Sequence, residues 1–249
     1  MTPSSFFSLT ANGMLDSVQR LFFKRLELNR LLMGAVVLCL GSPMSIMAGS
    51  YEDFLSAIKT NNTRVVQSLL TRGVDPNTPD EKGNPALFLA IQSRSWNVVK
   101  VLVEARGIQL DERNPHDETP LMLSVIQGEV DVARLLIDKG ADVNKTGWTP
   151  LHYAASKGHL ELIHILLDED AYIDAESPNG TTPLMMAAGY ADNPIACKVL
   201  LEEGADPSLK NDKNLNALDF AMHAKHAEAG QLIETYLNAW IQKQSQAPK

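Results

Sequence analysis

Several things are scarce in this 249-residue chain, and each scarcity closes off a class of protein. There are two cysteines, Cys39 and Cys197, too few for a disulfide framework or a four-cysteine zinc site. Positive charge is not in excess: 22 Lys and Arg stand against 30 Asp and Glu, a net −8. A nucleic-acid partner would favour a basic face, so none is expected. The apolar run Leu31 to Leu40 falls short of the roughly 20 residues that span a bilayer. There is no phosphate-cradling glycine loop, no dinucleotide fingerprint and no nucleophile elbow. The acidic run Asp168-Glu169-Asp170 lacks the spacing and glycine of a calcium loop and reads as a solvated helix end. An enzyme therefore has no positive support, and neither a cofactor nor a small-molecule substrate is expected. What remains is ordinary: 45% hydrophobic and 21% charged residues suffice for a packed core.

What is present is a unit and its copies. Thr149-Pro150 is a helix start, with a hydroxyl able to cap free backbone N–H groups and a proline that has none to waste. Leu151, Ala154 and Ala155 give the short helix a small, flat apolar face, and Gly158 ends it. A second helix follows with Leu160, Ile163, Leu166 and Leu167 at helical spacing. Such a pair cannot bury its own apolar face. Thr119-Pro120-Leu121 and Thr182-Pro183-Leu184 repeat the start directly, Asn84-Pro85-Ala86-Leu87 and Asn216-Ala217-Leu218 repeat it weakly, and Phe54 heads the weakest copy. The steps from Phe54 through Leu87, Leu121, Leu151 and Leu184 to Leu218 are 33, 34, 30, 33 and 34 residues. Second helices end alike, at Gly73, Gly140 and Gly204, and the loops that follow read Val74-Asp75-Pro76-Asn77, Ala141-Asp142-Val143-Asn144 and Ala205-Asp206-Pro207.

A period near 33 built from a turn and two helices marks an ankyrin array. The chain resembles the ankyrin repeat family over about 51 to 240, and Thr149-Pro150-Leu151-His152-Tyr153-Ala154-Ala155 is nearly the family consensus. The expected fold is all-α: a solenoid of about six helix-turn-helix repeats with short β-turn fingers. The repeats run over about 50–80, 81–114, 115–146, 147–179, 180–212 and 213–241, with a disordered tail at 242–249. The first, with Asn61-Asn62-Thr63 between its helices, reads as an N-terminal cap whose polar residues face solvent. In the last, Leu232, Ile233, Tyr236, Leu237, Trp240 and Ile241 form an apolar stripe on a longer helix, a C-terminal cap. Asn144-Lys145-Thr146-Gly147 is three residues shorter than the matching Asp174 to Gly180, so the finger it forms should be blunt. Repeat five carries one extra residue around Ala191-Asp192-Asn193-Pro194.

Residues 1–48 stand outside the repeats. Arg20, Lys24, Arg25 and Arg30 precede the apolar run, Gly41-Ser42-Pro43 breaks it, and Ile46-Met47-Ala48 resembles a signal-peptidase site. A removed signal peptide is expected, cut after Ala48 or at Gly49, with Met14 an alternative start to Met1 and an uncleaved membrane anchor the alternative outcome. Cys39 is not a lipobox cysteine, because Leu38 stands where a small residue is wanted. The location expected is periplasmic or secreted, with anchorage to the inner membrane if the signal stays. Removal would take Cys39 and leave Cys197 alone, as a buried, inert thiol in the second helix of repeat five. Asn61-Asn62-Thr63, Asn144-Lys145-Thr146 and Asn179-Gly180-Thr181 match the glycosylation acceptor; in a bacterial protein they are turn residues only.

The resemblance implies a non-enzymatic protein-binding module that docks a protein partner in its groove; capping at both ends of the array favours a monomer. In the family, recognition commonly uses the residue before the Thr-Pro pair and the two before the inter-helix glycine. Carried onto this chain, those are Glu118, Trp148 and Thr181, then Ile126 and Gln127, Ser156 and Lys157, and Gly189 and Tyr190. Asn84, Gln92 and Ser93 follow from the degraded second repeat. Trp148 and Tyr190 are the sharpest of these, since buried aromatic anchors dominate interface energies; the alternative for Trp148 is simple packing on its finger. The resemblance also implies that His152 links repeat loops by hydrogen bonds. An exported effector or inhibitor of another cell's protein is a second function, and a metal-handling factor using His223 and His226, three apart on one helix face with Glu228 nearby, a third; no metal ligands are assigned.

Overall fold

The computed structural model of the protein describes residues 44–191 and 194–246. The chain divides into two compact units, Met1–Glu52 and Asp53–Lys249. Of the first, residues 44–52 are described, and they lie in the helix α1 (Met44–Lys59). The rest of the expected signal sequence lies outside the described residues, and its expected cut after Ala48 falls within α1. No helix among the described residues is long and apolar enough to cross a membrane.

The second unit is built from helix pairs. After α1 come α2 (Thr63–Thr71), α3 (Ala86–Gln92), α4 (Trp96–Val103), α5 (Pro120–Gln127), α6 (Val130–Asp138) and α7 (Pro150–Lys157). They continue with α8 (Leu160–Asp168), α9 (Pro183–Tyr190), α10 (Pro194–Glu202), α11 (Ala217–Ala224) and α12 (Ala227–Gln246). Twelve helices and no strand among the described residues make six pairs. First helices stack on first helices, α3 on α5, α5 on α7, α7 on α9 and α9 on α11, while α8 packs on α6 and α10 and α12 packs on α10. This is how a unit too small to bury its own face becomes stable: each copy covers its neighbour.

The core is the repeated pattern made solid. Of the leucines on which the copies align, Leu87, Leu121, Leu151 and Leu184 are buried, as are Ala154, Ala155, Ala187 and Ala188 beside them, while Leu218 is half-buried. In repeats two, three, four and six the pair turns on a left-handed residue, whereas in repeat five Ala191 is extended there (φ −80°). Glycine holds the left-handed conformation at Gly128 (φ 73°) and Gly158 (φ 65°), where positive φ costs glycine little. Arg94 and Lys225 hold the same conformation in repeats two and six.

Departures from the repeat have local causes. In repeat two Pro85 occupies the capping position taken by threonine in repeats three to five and by Asn216 in repeat six, so α3 starts without a side-chain cap. Asn61 does more than face solvent: its Oδ1 accepts the Val98 N–H at 3.1 Å, tying repeat one to repeat two. The short finger before repeat four buries a lysine. The Lys145 side chain is 3% exposed and its ammonium bonds the Asp117 carboxylate of the preceding finger. That bond, then Arg113, holds the Asp117 carboxyl below its usual range. The extra residue of repeat five falls at 192–193, outside the described residues. At the far end Ile233 is fully buried, while Ile241 is 52% exposed. α12 runs on to Gln246, so residues 242–246, expected in a disordered tail over 242–249, continue the helix, and the last three lie outside the described residues. Its lone-standing residues extend a helix already nucleated by packing, which adds one hydrogen bond per residue at little further cost.

Candidate functional site

The middle of the array is held by a histidine. Thr119 and Thr182 cap their helices as expected, accepting the Met122 N–H at 3.2 Å and the Met185 N–H at 3.4 Å. Thr149 does not: its hydroxyl lies 2.8 Å from His152 Nδ1, which also accepts the Thr149 N–H at 3.1 Å. With Nδ1 accepting, the ring proton sits on Nε2, which donates to the Thr181 carbonyl of the next repeat at 2.8 Å. His152 is fully buried, and that burial pushes its pKa down to about 4, against hydrogen bonds that raise it. It is a neutral structural bridge between repeat loops, as its position in the motif implied.

Directly beside it opens a cleft of about 480 Å³. Trp148 forms one side; its ring meets His152 edge-on with centroids 5.2 Å apart and tilts against Tyr153 at 6.3 Å. Packing on its finger and lining the cleft are therefore both true of this half-buried tryptophan. Tyr190, 65% exposed, stands among the lining residues with Gly189 and Thr181. Four of the nine residues picked from sequence thus meet at one place.

Their roles are not all those expected. Thr181 is 2% exposed, so its side chain cannot be a contact surface; its carbonyl serves His152 and its N–H donates to Ser177 Oγ at 3.0 Å. Gly189 is a packing position: a Cβ there would come within 2.9 Å of the Phe220 ring. The other five lie outside the cleft, on the adjoining repeats. Glu118 accepts Asn114 Nδ2 at 2.8 Å within its own turn, and the Ser156 hydroxyl donates to the Tyr153 carbonyl at 3.0 Å. Ile126 and Gln127 are half-buried and Lys157 is exposed. Of the second-repeat candidates, Asn84 is buried and bound to Asp80, while Gln92 is exposed and Ser93 half-buried.

Sequence reasoning missed the far wall. Leu215, His223 and Ala224 line the cleft, and they hold in repeat six the positions that Trp148, Ser156 and Lys157 hold in repeat four. The copy at Leu218 was aligned, but the contact offsets were not carried onto it; doing so gives these three positions. Met186 and Phe220, each two residues after its aligning leucine, complete the apolar surface. The metal reading needs a correction. His223 lies in α11, but α11 stops at Ala224 and Lys225 takes φ 62°, so His226 is not on the same helix face. His226 Nδ1 is bonded to the Ala188 carbonyl at 2.9 Å. Cys197 is fully buried and its thiol is pushed up to about 12 by burial, which keeps it protonated and unreactive.

Fold and cleft together define a scaffold of stacked helix pairs whose first helices and finger turns present a continuous face. The chain belongs to the ankyrin repeat family: the model for ankyrin repeats matches residues 54–147, 107–177 and 151–238. Repeats of this family are protein–protein interaction modules, and the fold is generally a non-catalytic scaffold. Among curated proteins, the mouse B-cell lymphoma 3 protein homolog is 30% identical over 165 residues, covering 64% of this chain and 37% of that protein. The chicken nuclear factor NF-kappa-B p105 subunit is 33% identical over 162 residues, 62% of this chain but 16% of its own length. The chain therefore spans well under half of these first relatives. The putative ankyrin repeat protein YahD of Escherichia coli K12 is 27% identical over 189 residues, covering 73% of this chain and 94% of YahD. Among solved structures, one match is a chain in the structure of the Bd0816 predatory endopeptidase of Bdellovibrio bacteriovorus in complex with immunity protein Bd3460. That match has 27% identity, a TM-score of 0.65, and covers 74% of this chain and 97% of that one. The ankyrin repeat protein EF0377 matches with 26% identity, the same TM-score and the same coverage.

Proposed function

We propose that the protein is an exported, non-enzymatic binding module that captures a partner protein in the cleft between Trp148 and α11. The observation that carries this reading is the convergence of Trp148 and exposed Tyr190 on one concave site, at positions where the family presents variable contact residues. Desolvated aromatic anchors of this kind each contribute about 2 kcal/mol or more to an interface. Export rests on the order of basic, apolar, breaking and small residues before Gly49.

The test has two parts. N-terminal sequencing of the protein from fractionated cells should return a start near Gly49 in a periplasmic or secreted fraction; an intact start in the cytoplasm overturns export. Cross-linking pull-down from the same fraction should capture a partner that Trp148→Ala and Tyr190→Ala both release. Unchanged capture by both variants overturns the cleft assignment. A second reading, an inhibitor of another protein, is favoured by the likeness to a chain in an endopeptidase–immunity protein complex. It is separated from the first by what is captured: an active enzyme that loses activity on binding, or a partner with no activity to lose.

A further inference from the structure

The polar groups around the cleft are unevenly spent, and the imbalance says what would fit. Asn211 Oδ1 already accepts the N–H groups of Lys213 at 3.0 Å and Leu215 at 3.1 Å. Two N–H groups facing one atom fix that side chain's orientation, leaving its Nδ2 as the outward group. Asn179 Oδ1 likewise takes the Ser177 hydroxyl at 2.6 Å and faces the Thr181 N–H at 3.4 Å. The Thr181 carbonyl is taken by His152. These three acceptors are used up in building the fingers. Beside the Tyr190 hydroxyl and the His223 ring, which can donate or accept, four donor-only groups are left: the two Asn Nδ2 groups, the Trp148 indole N–H and the Lys213 ammonium, none of which has a hydrogen-bond or ion-pair partner among the described residues.

Charge and shape agree with this. Lys213 lines the cleft and no carboxylate does, although the chain as a whole carries −8. Met186, Leu215 and Phe220 leave an apolar surface between these donors, facing Trp148. A basic or donor-rich ligand would leave the donors unpaired and bring like charges together, which costs affinity. A purely apolar ligand would desolvate them without replacement.

Resting on the reading of this cleft as the partner site, we propose that its occupant is an extended acidic peptide segment of the partner. A large apolar side chain seats among Trp148, Met186 and Phe220, and a neighbouring Asp or Glu carboxylate meets Lys213 and Asn211 Nδ2. Electrostatic matching of this kind decides which partner is accepted more than how tightly it is held.

The experiment uses the purified full chain and three fluorescein-labelled octapeptides with a central Phe-Leu pair, flanked by Glu, Gln or Lys. Anisotropy should show the Glu peptide binding at least about tenfold tighter than the Lys peptide. Lys213→Glu should reverse that order. Lys213 is exposed and contributes only its backbone N–H to the turn, so the variant folds. Trp148→Ala should weaken every peptide that binds. Equal or tighter binding of the Lys peptide, an order that Lys213→Glu leaves unchanged, or no binding by any of the three overturns the proposal. Capture of a partner that still depends on Trp148 would then show that the cleft reading stands and only the acidic chemistry has failed.

Discussion

Replacing Asp174 by asparagine is expected to stabilise the protein by about 1 kcal/mol at pH 7. The reason is a ladder of side chains tying each loop to the next. Asn77 Oδ1 accepts the Gln109 N–H at 2.8 Å and its Nδ2 donates to the Gly107 carbonyl at 2.8 Å. Asn144 repeats both bonds with the Tyr172 N–H and the Asp170 carbonyl, each at 2.8 Å. Asp111 and Asp174 sit on the alternate rungs. Asp111 accepts the Asp142 N–H at 3.0 Å, and Asp174 the Asp206 N–H at 3.1 Å and 3.2 Å. A carboxylate has the acceptor but no N–H for the carbonyl at the equivalent place, that of Gly204. Burial raises the Asp174 pKa; the Asp206 N–H lowers it and the Asp206 charge raises it further, leaving it above the usual value. The charged form is thus disfavoured where it stands, and an amide removes that cost while adding one hydrogen bond.

The sign in pH follows. A carboxyl with a folded pKa above its unfolded value binds protons more tightly in the native state, so its penalty is full above the folded pKa and relieved as pH falls through it. The advantage of Asp174→Asn should therefore be largest at pH 7 and shrink toward pH 4, where the native carboxylic acid can itself donate. At this chain length 1 kcal/mol is about 2–4 °C in Tm. Urea midpoints and thermal scans of wild type and variant at both pH values measure it, and Asn144→Asp should cost a similar amount. A variant that is neutral or destabilised, or a gap independent of pH, refutes the reasoning.

Other outcomes follow from the same geometry. His152→Ala leaves the Thr149 N–H and the Thr181 carbonyl buried without their partner, at about 1–3 kcal/mol each, measurable by urea unfolding. With its folded pKa near 4, His152 makes wild-type stability fall by roughly 3 kcal/mol as pH drops from about 6.5 toward 4, because the unfolded chain takes up the proton first; the alanine variant should lose that slope. Gly189→Ala should cost about 1–3 kcal/mol from its clash with Phe220, and Gly189→Ala with Phe220→Leu should recover part of it by thermal melt. Lys145→Met should return the Asp117 carboxyl toward its ordinary range by removing the ammonium that holds it down, a rise visible in an NMR titration.

The repeat itself was legible because its signals are local. Helix starts at Thr-Pro, alanine faces and leucines at a 33-residue step are properties of short stretches, and stacking is forced on any unit that cannot cover its own apolar side. His152 was legible for the same reason, since its partners Thr149 and Thr181 sit at fixed offsets within the repeat. The three-residue deletion before Gly147 was visible as well, but not that Lys145 would turn inward to Asp117; a lysine reads as surface until a neighbouring finger supplies the carboxylate.

What the chain order could not decide was exposure at equivalent positions. Trp148 and Thr181 occupy the same place in successive repeats, yet the first is half-buried with its ring on the cleft and the second is 2% exposed, because a side chain's exposure is set by what the adjoining repeats place against it. Gly189 looked like a contact residue and proved to be the space into which Phe220 fits. Sequence alone determined the repeating unit, its period and the face that must be buried, since these depend on residues within one turn or one repeat. Only the tertiary structure decided which side chains meet across repeats and which acceptors are already spent, since those depend on how far apart three separate stretches of chain come to rest.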